Sequence, residues 1–133
     1  MNTAPINLTK PLDVLIIDDS DVILDMLSQL LEGNSDANRI ICVNSAFEGL
    51  WKIEQEPFDV LILDINLPVM SGIQLLRRVR MMQVSQPVII MLTNNTMNRY
   101  RDECLNMGAD YFLDKSRDFL KILEIINNYG VKV

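Results

Sequence analysis

Five short apolar runs alternate with segments whose apolar residues recur at three- and four-residue spacing, and that alternation leaves few folds open. The runs cover residues 14–17, 39–43, 60–63, 88–92 and 111–113, each bounded by polar or turn-forming residues, as buried parallel strands are. Amphipathic helices are marked by Ile23, Leu27, Leu30 and Leu31, by Ala46, Leu50 and Ile53, by Ile73, Leu76 and Val79, and by Phe119, Ile122, Leu123 and Ile126. Residues 97–107 are less regular, but they end at Gly108 and fill the fourth gap, so a helix is expected there too.

Such alternation implies an α/β fold: a five-stranded parallel sheet with right-handed crossovers and helices on both faces, a three-layer sandwich. Ligands of these folds bind beyond the carboxyl ends of the strands, where strand order reverses. In the order 2-1-3-4-5 that point lies between the first and third strands. Here the first run leads into Asp18 and Asp19 and the third into Asp64, while Thr93 and Lys115 follow the fourth and fifth.

The 133 residues, 49% of them hydrophobic, suffice for one domain with a real core. It is expected over residues 12–129, after a lead-in at 1–11 and before a tail at 130–133, with no output domain. A net charge of -6 and a pI near 4.5 argue against nucleic acid, because phosphate neutralisation needs a basic face. The Arg77-Arg78-x-Arg80 cluster reads as a solvated helix edge. Cys42 and Cys104 lack CxxC spacing and a secretory leader, and read as two buried free thiols in a reducing cytoplasm. No run approaches the roughly 20 residues of a membrane span. The absence of histidine removes Ser-His and Cys-His nucleophile pairs and most zinc sites. Carboxylate, hydroxyl and amine chemistry remains.

Three carboxylates converging on one crevice repel each other unless a cation joins them. Oxygen ligands beside open solvent suit Mg2+, which keeps several waters and accepts a phosphoryl oxygen. A carboxylate in such a place can attack an activated phosphoryl group and form an aspartyl phosphate. Asp64 is the best nucleophile because it stands singly after the central strand, while the pair Asp18 and Asp19 is better suited to holding metal. Lys115 and Thr93 can meet the remaining phosphoryl oxygens. Downstream of Asp64, Pro68 supplies a rigid turn element and Gly72 precedes the next helix. Taken singly, each residue also has a plainer reading: Asp18 to Asp21 could cap the first helix, Thr93 the fourth, and Lys115 could be merely solvated. Their joint placement at strand ends favours the functional reading.

The segments 14–19 and 64–72, Thr93 and the stretch 108–115 together resemble the receiver domain of two-component response regulators, with a flavodoxin-like fold, over about residues 12–129. The resemblance implies that Asp64 is phosphorylated by a sensor histidine kinase or a histidine phosphotransfer protein. It further implies that Asp19, Asp64 and the backbone carbonyl of Asn66 ligate Mg2+, with Asp18 acting through water. Thr93 and Lys115 would clasp the phosphoryl oxygens, and Phe112 would be the aromatic that turns inward with Thr93, although core packing explains a Phe there equally well. The switch would be read on the face of the fourth helix, fifth strand and fifth helix, where two copies could also pair.

Some positions depart from the family pattern. Ser116 stands where the family usually has proline after a cis bond; such a bond before a non-proline residue costs about 3 kcal/mol, so a trans Lys115–Ser116 bond is expected. Asn94 replaces a small residue beside the phosphoryl position, and Asn66 and Asn95 place neutral amides where dephosphorylation is tuned. Two outputs fit a chain that stops after one more helix: a diffusible effector, like the chemotaxis regulators, that binds an unknown downstream protein, or a phosphorelay intermediate or phosphate sink. On the first helix, Ile23 and Met26 resemble the positions that meet the helical bundle of phosphotransfer partners; the alternative is that they pack on the sheet with Val22, Leu27, Leu30 and Leu31. A Mg2+-dependent phosphohydrolase with an Asp nucleophile fits less well, because Asp64 is followed two residues later by Asn66 and no cap is inserted. A flavin site is disfavoured by the acidic first loop. Trp51 and Phe47, one turn apart on the second helix, read as local packing.

Overall fold

Ten elements alternate without exception in the computed structural model, which describes residues 12–33, 35 and 37–129. Strands β1 (Leu12–Ile17), β2 (Ala37–Val43), β3 (Val60–Leu63), β4 (Val88–Thr93) and β5 (Tyr111–Asp114) are joined by helices α1 (Asp21–Leu31), α2 (Ala46–Gln55), α3 (Gly72–Met81) and α4 (Asn98–Asn106), with α5 (Lys121–Asn127) closing the series. All pairings are parallel and the order is β2-β1-β3-β4-β5, as the alternation predicts. The expected lead-in at 1–11 and tail at 130–133 lie outside the described residues.

Side chains alternate across the pleat, so each strand feeds two cores. Leu15, Ile17, Leu61, Leu63, Ile89 and Met91 face one side, where they meet Leu50 and Ile53 of α2, Leu75, Leu76 and Val79 of α3, and Cys104 of α4. Val14, Ile16, Val60, Ile62, Ile90 and Leu92 face the other, against Leu24, Leu27 and Leu31 of α1 and Ile122 and Ile126 of α5. β3, buried at all four residues, is the middle of the sheet. Continuous apolar runs follow from this two-sided burial. Among the described residues no helix is long and apolar enough to cross a membrane.

Three helices start on serines that accept a backbone N–H: Ser20 from Ile23, Ser45 from Glu48, and Ser71 from Gln74, the last completing a reciprocal capping box. The first helix is therefore capped by Ser20 and not by an aspartate. Cys42 corrects the expectation of two buried thiols: it is exposed, with Sγ 3.1 Å from Ser28 Oγ, whereas Cys104 is buried. β2 is an edge strand, most of it only half covered, and an apolar run does not by itself reveal an edge.

Candidate functional site

The sheet carries the expected residues to one end and fixes their backbones. Asp18 N–H donates to Val43 O, Asp64 N–H to Ile17 O, and Lys115 N–H to Thr93 O, so the ladders run one residue past the strands that end in these groups. Taken as whole residues, Asp18, Asp64 and Thr93 are the only buried polar or charged ones among the described residues. Their burial in a chain that could have placed leucine there needs a compensating reason.

Lys115 supplies part of it. Its Nζ lies 2.7 Å from Asp18 Oδ2 and 2.8 Å from Asp64 Oδ2, and the Lys115 side chain is itself only 8% exposed. Burial alone would lower the Lys115 ammonium, but the hydrogen bonds to Asp18 and Asp64 outweigh it and hold the group above its ordinary value. Burial raises the Asp18 carboxyl, more than its bonds from Lys115 and the Ser20 N–H lower it, and the nearby Asp64 raises it further. Two carboxylates thus share one ammonium.

Local turns aim the carboxylates. Asp18 Oδ1 accepts the Ser20 N–H at 2.9 Å, and Asp64 Oδ1 accepts the Asn66 N–H at 3.3 Å. Thr93 Oγ1 accepts the Asn95 N–H at 3.1 Å, while the N-cap of α4 is Met97 with no side-chain cap bond, so Thr93 does not cap that helix. The loop after Asp64 folds back on itself: Gly72 N–H donates to Ile65 O at 2.8 Å, and a Cβ on Gly72 would stand 1.8 Å from Asp64 O. Gly72 is the first residue of α3 rather than a residue before it, and only glycine permits this approach.

Carboxylate oxygens of Asp18, Asp19 and Asp64 lie within 4.8 Å of one another, with Asp19 exposed at the rim. An all-oxygen donor set with one open side fits a hard divalent cation such as Mg2+. Phe112 is buried on the α2–α3–α4 face beside its register partner Met91. On α1, Ile23 is half-buried, whereas Met26 (47%) and Val22 (66%) are exposed, so the alternative reading, in which all six apolar residues pack on the sheet, does not hold. Leu24, not singled out in the sequence, is buried in their place.

In the loop after Lys115 the sequence pointed to the Lys115–Ser116 bond but not to the hydrogen bonds that hold the turn. Asp114 Oδ1 accepts from Ser116 N–H at 2.8 Å and from Ser116 Oγ at 2.7 Å, and Asp118 Oδ2 accepts the Asp114 N–H at 2.9 Å. No peptide bond among the described residues is cis, so Lys115–Ser116 is trans as expected. An Asp followed two residues later by Ser is a recognisable turn pattern, and it was the available signal.

The geometry is that of a family, and one observation decides which: the sequence model of the response regulator receiver domain matches residues 14–127. The chain belongs to the response regulator receiver domain family. This receiver is 34% identical to a CheY-like receiver domain protein from Methanospirillum hungatei, with a TM-score of 0.77 over 86% of this chain and 89% of that one. It is 29% identical over 126 residues to the sensory/regulatory protein RpfC of Xanthomonas campestris pv. campestris, covering 92% of this chain. It is 32% identical over 125 residues, again 92% of this chain, to the protein-glutamate methylesterase/protein-glutamine glutaminase 2 of Nitratidesulfovibrio vulgaris. The receiver spans 17% of the former relative's length and 34% of the latter's.

Proposed function

We propose that Asp64 accepts a phosphoryl group from a phosphohistidine on a sensor histidine kinase or histidine phosphotransfer protein, and that the phosphorylated chain signals through altered protein contacts. The observation that carries this reading is the shared ammonium: Lys115 bridges buried Asp18 and Asp64 at the switch point of the sheet, beside a fully buried Thr93. In the transfer, a carboxylate oxygen of Asp64 forms a bond to phosphorus as the N–P bond of the donor breaks, and the electron pair returns to the donor imidazole. Lys115 is cationic throughout and stands where charge builds on the phosphoryl oxygens. Thr93 Oγ1 already accepts one hydrogen bond, which leaves its own proton to donate to an incoming oxygen.

Asp18, Asp19, Asp64 and the Asn66 carbonyl would hold Mg2+, which supplies charge neutralisation between the carboxylates and the phosphoryl group. Phe112 and Thr93 would carry the switch, and Ile23 and Met26 would dock the donor. Incubation with Mg2+ and acetyl phosphate, followed by intact mass, tests the core of the proposal. One added phosphoryl group, absent in Asp64→Asn and with chelator, is expected; equal addition to Asp64→Asn would overturn it.

A further inference from the structure

On the face opposite α1 and α5, a groove of about 480 Å³ runs between α2, the loop after β3, α3 and α4. Its apolar lining includes Phe47, Val69, Met70, Ile73 and Met107, and its size suits a few side chains of a peptide rather than a whole domain. The sequence suggested that Phe47 and Trp51 pack locally, but both rings are more than half exposed, at 54% and 56%. Val69 is 90% exposed and has φ of 70°, a left-handed backbone that a β-branched residue seldom adopts. The loop therefore presents Val69 to solvent against both its hydrophobicity and its backbone preference.

Charge at the groove runs against the rest of the molecule. Arg77 and Arg78 line it on an acidic chain of net charge -6, with Glu103 as the opposing acid. Both are exposed, and among the described residues neither has an ion pair or a side-chain hydrogen bond. Four of the other arginines are engaged: Arg80 bonds Gly108 O, Gln86, Pro87 O and Asp110, Arg39 pairs with Glu56, Arg117 with Asp114, and Arg99 bonds Tyr100, while Arg101, on α4, is as free as Arg77 and Arg78. Two free guanidinium forks beside an apolar trough are complementary to carboxylates flanking apolar side chains.

We infer that this groove docks an acidic segment of a partner protein, seating one or more apolar side chains among Phe47, Val69, Ile73 and Met107 while its carboxylates engage Arg77 and Arg78. Nucleic acid binding rests on many neutralised phosphates, more than two guanidinium groups on an acidic chain supply. A symmetric pairing of two copies would bring both Arg77-Arg78 pairs into one interface, where like charges add. The surface shares with the face of α4, β5 and α5 only Glu103 of α4 and its C-cap Met107, and it takes nothing from β5, α5 or α1.

Selection of a random peptide display library on the full chain tests this, with the strongest peptide then made synthetically. Recovered peptides should carry Asp or Glu beside aromatic or aliphatic residues, and binding should perturb Trp51, the chain's only tryptophan, one turn from Phe47. Affinity should fall on the order of tenfold in Arg77→Glu/Arg78→Glu, weaken with salt, and recover when the peptide's acids are exchanged for lysines. Circular dichroism of the variant, altered only at exposed positions, should match the parent. Peptides without acidic bias, equal binding to the double variant, NMR shifts confined to α1 or to β5 and α5, or no enrichment at all would overturn the inference. So would self-association lost in the double variant, which would make the occupant a second copy.

Discussion

At the scale of single residues, Lys115 and Gly72 have large expected effects on stability. Removing one partner of a buried ion pair leaves uncompensated charge, and here two carboxylates lose the same cation. Lys115→Ala is expected to lose about 3 kcal/mol in urea denaturation, partly restored by added Mg2+. Gly72→Ala should cost a similar amount, about 3 kcal/mol, because its Cβ would meet the backbone oxygen of Asp64, which cannot swing away as a side-chain tip would; the same urea titration measures it, and acetyl phosphate labelling should fall with it. Asp18, Asp19, Asp64, Thr93 and Lys115 were legible in the sequence because short strands bring their following residues to one edge. The contact that requires Gly72 was not, since it depends on how a nine-residue loop folds back. Cys42 was misread because a run of apolar residues looks alike at the edge and the centre of a sheet.

At the scale of elements, the strands were the most legible, and β3 and the helices α2 and α3 follow their apolar spacing closely. α5 was less so: Phe119 belongs to its periodic pattern but precedes the helix, which opens at Lys121 with no side-chain cap. The turn between β5 and α5 holds Ser116, one of the positions set apart in the sequence, and its hydrogen bonds make a testable pH dependence. The Ser116 hydroxyl and N–H lower the Asp114 carboxyl from its ordinary 3.8, and the Asp114 N–H lowers that of Asp118. Both groups are depressed in the folded state, so their contribution is complete above the unfolded value near 3.8 and is lost as pH falls through the folded values. The stability difference between the parent and Asp118→Asn, measured by denaturant titration, should therefore be constant near neutrality and shrink in acid below about pH 4.

At the scale of the whole molecule, the order β2-β1-β3-β4-β5 places chemistry at one sheet end and leaves several faces for partners. Donor recognition and chemistry should then be separable. Met26→Lys, on the exposed side of α1, is expected to slow transfer from a phosphohistidine donor by roughly tenfold while leaving the rate with acetyl phosphate unchanged; parallel time courses with the two donors measure the split. Exposed apolar residues were only partly legible in the sequence, because periodicity reports which residues are apolar and not which of them the fold leaves uncovered. The central claim is that Asp64 is the phosphoacceptor, and the most direct measurement is reductive trapping: borohydride treatment of the phosphorylated chain converts an aspartyl phosphate to homoserine, and peptide mapping locates it. Homoserine at position 64 alone is the predicted result; homoserine at 18 or 19, or phosphoryl label that survives reduction on a hydroxyl side chain, would contradict it.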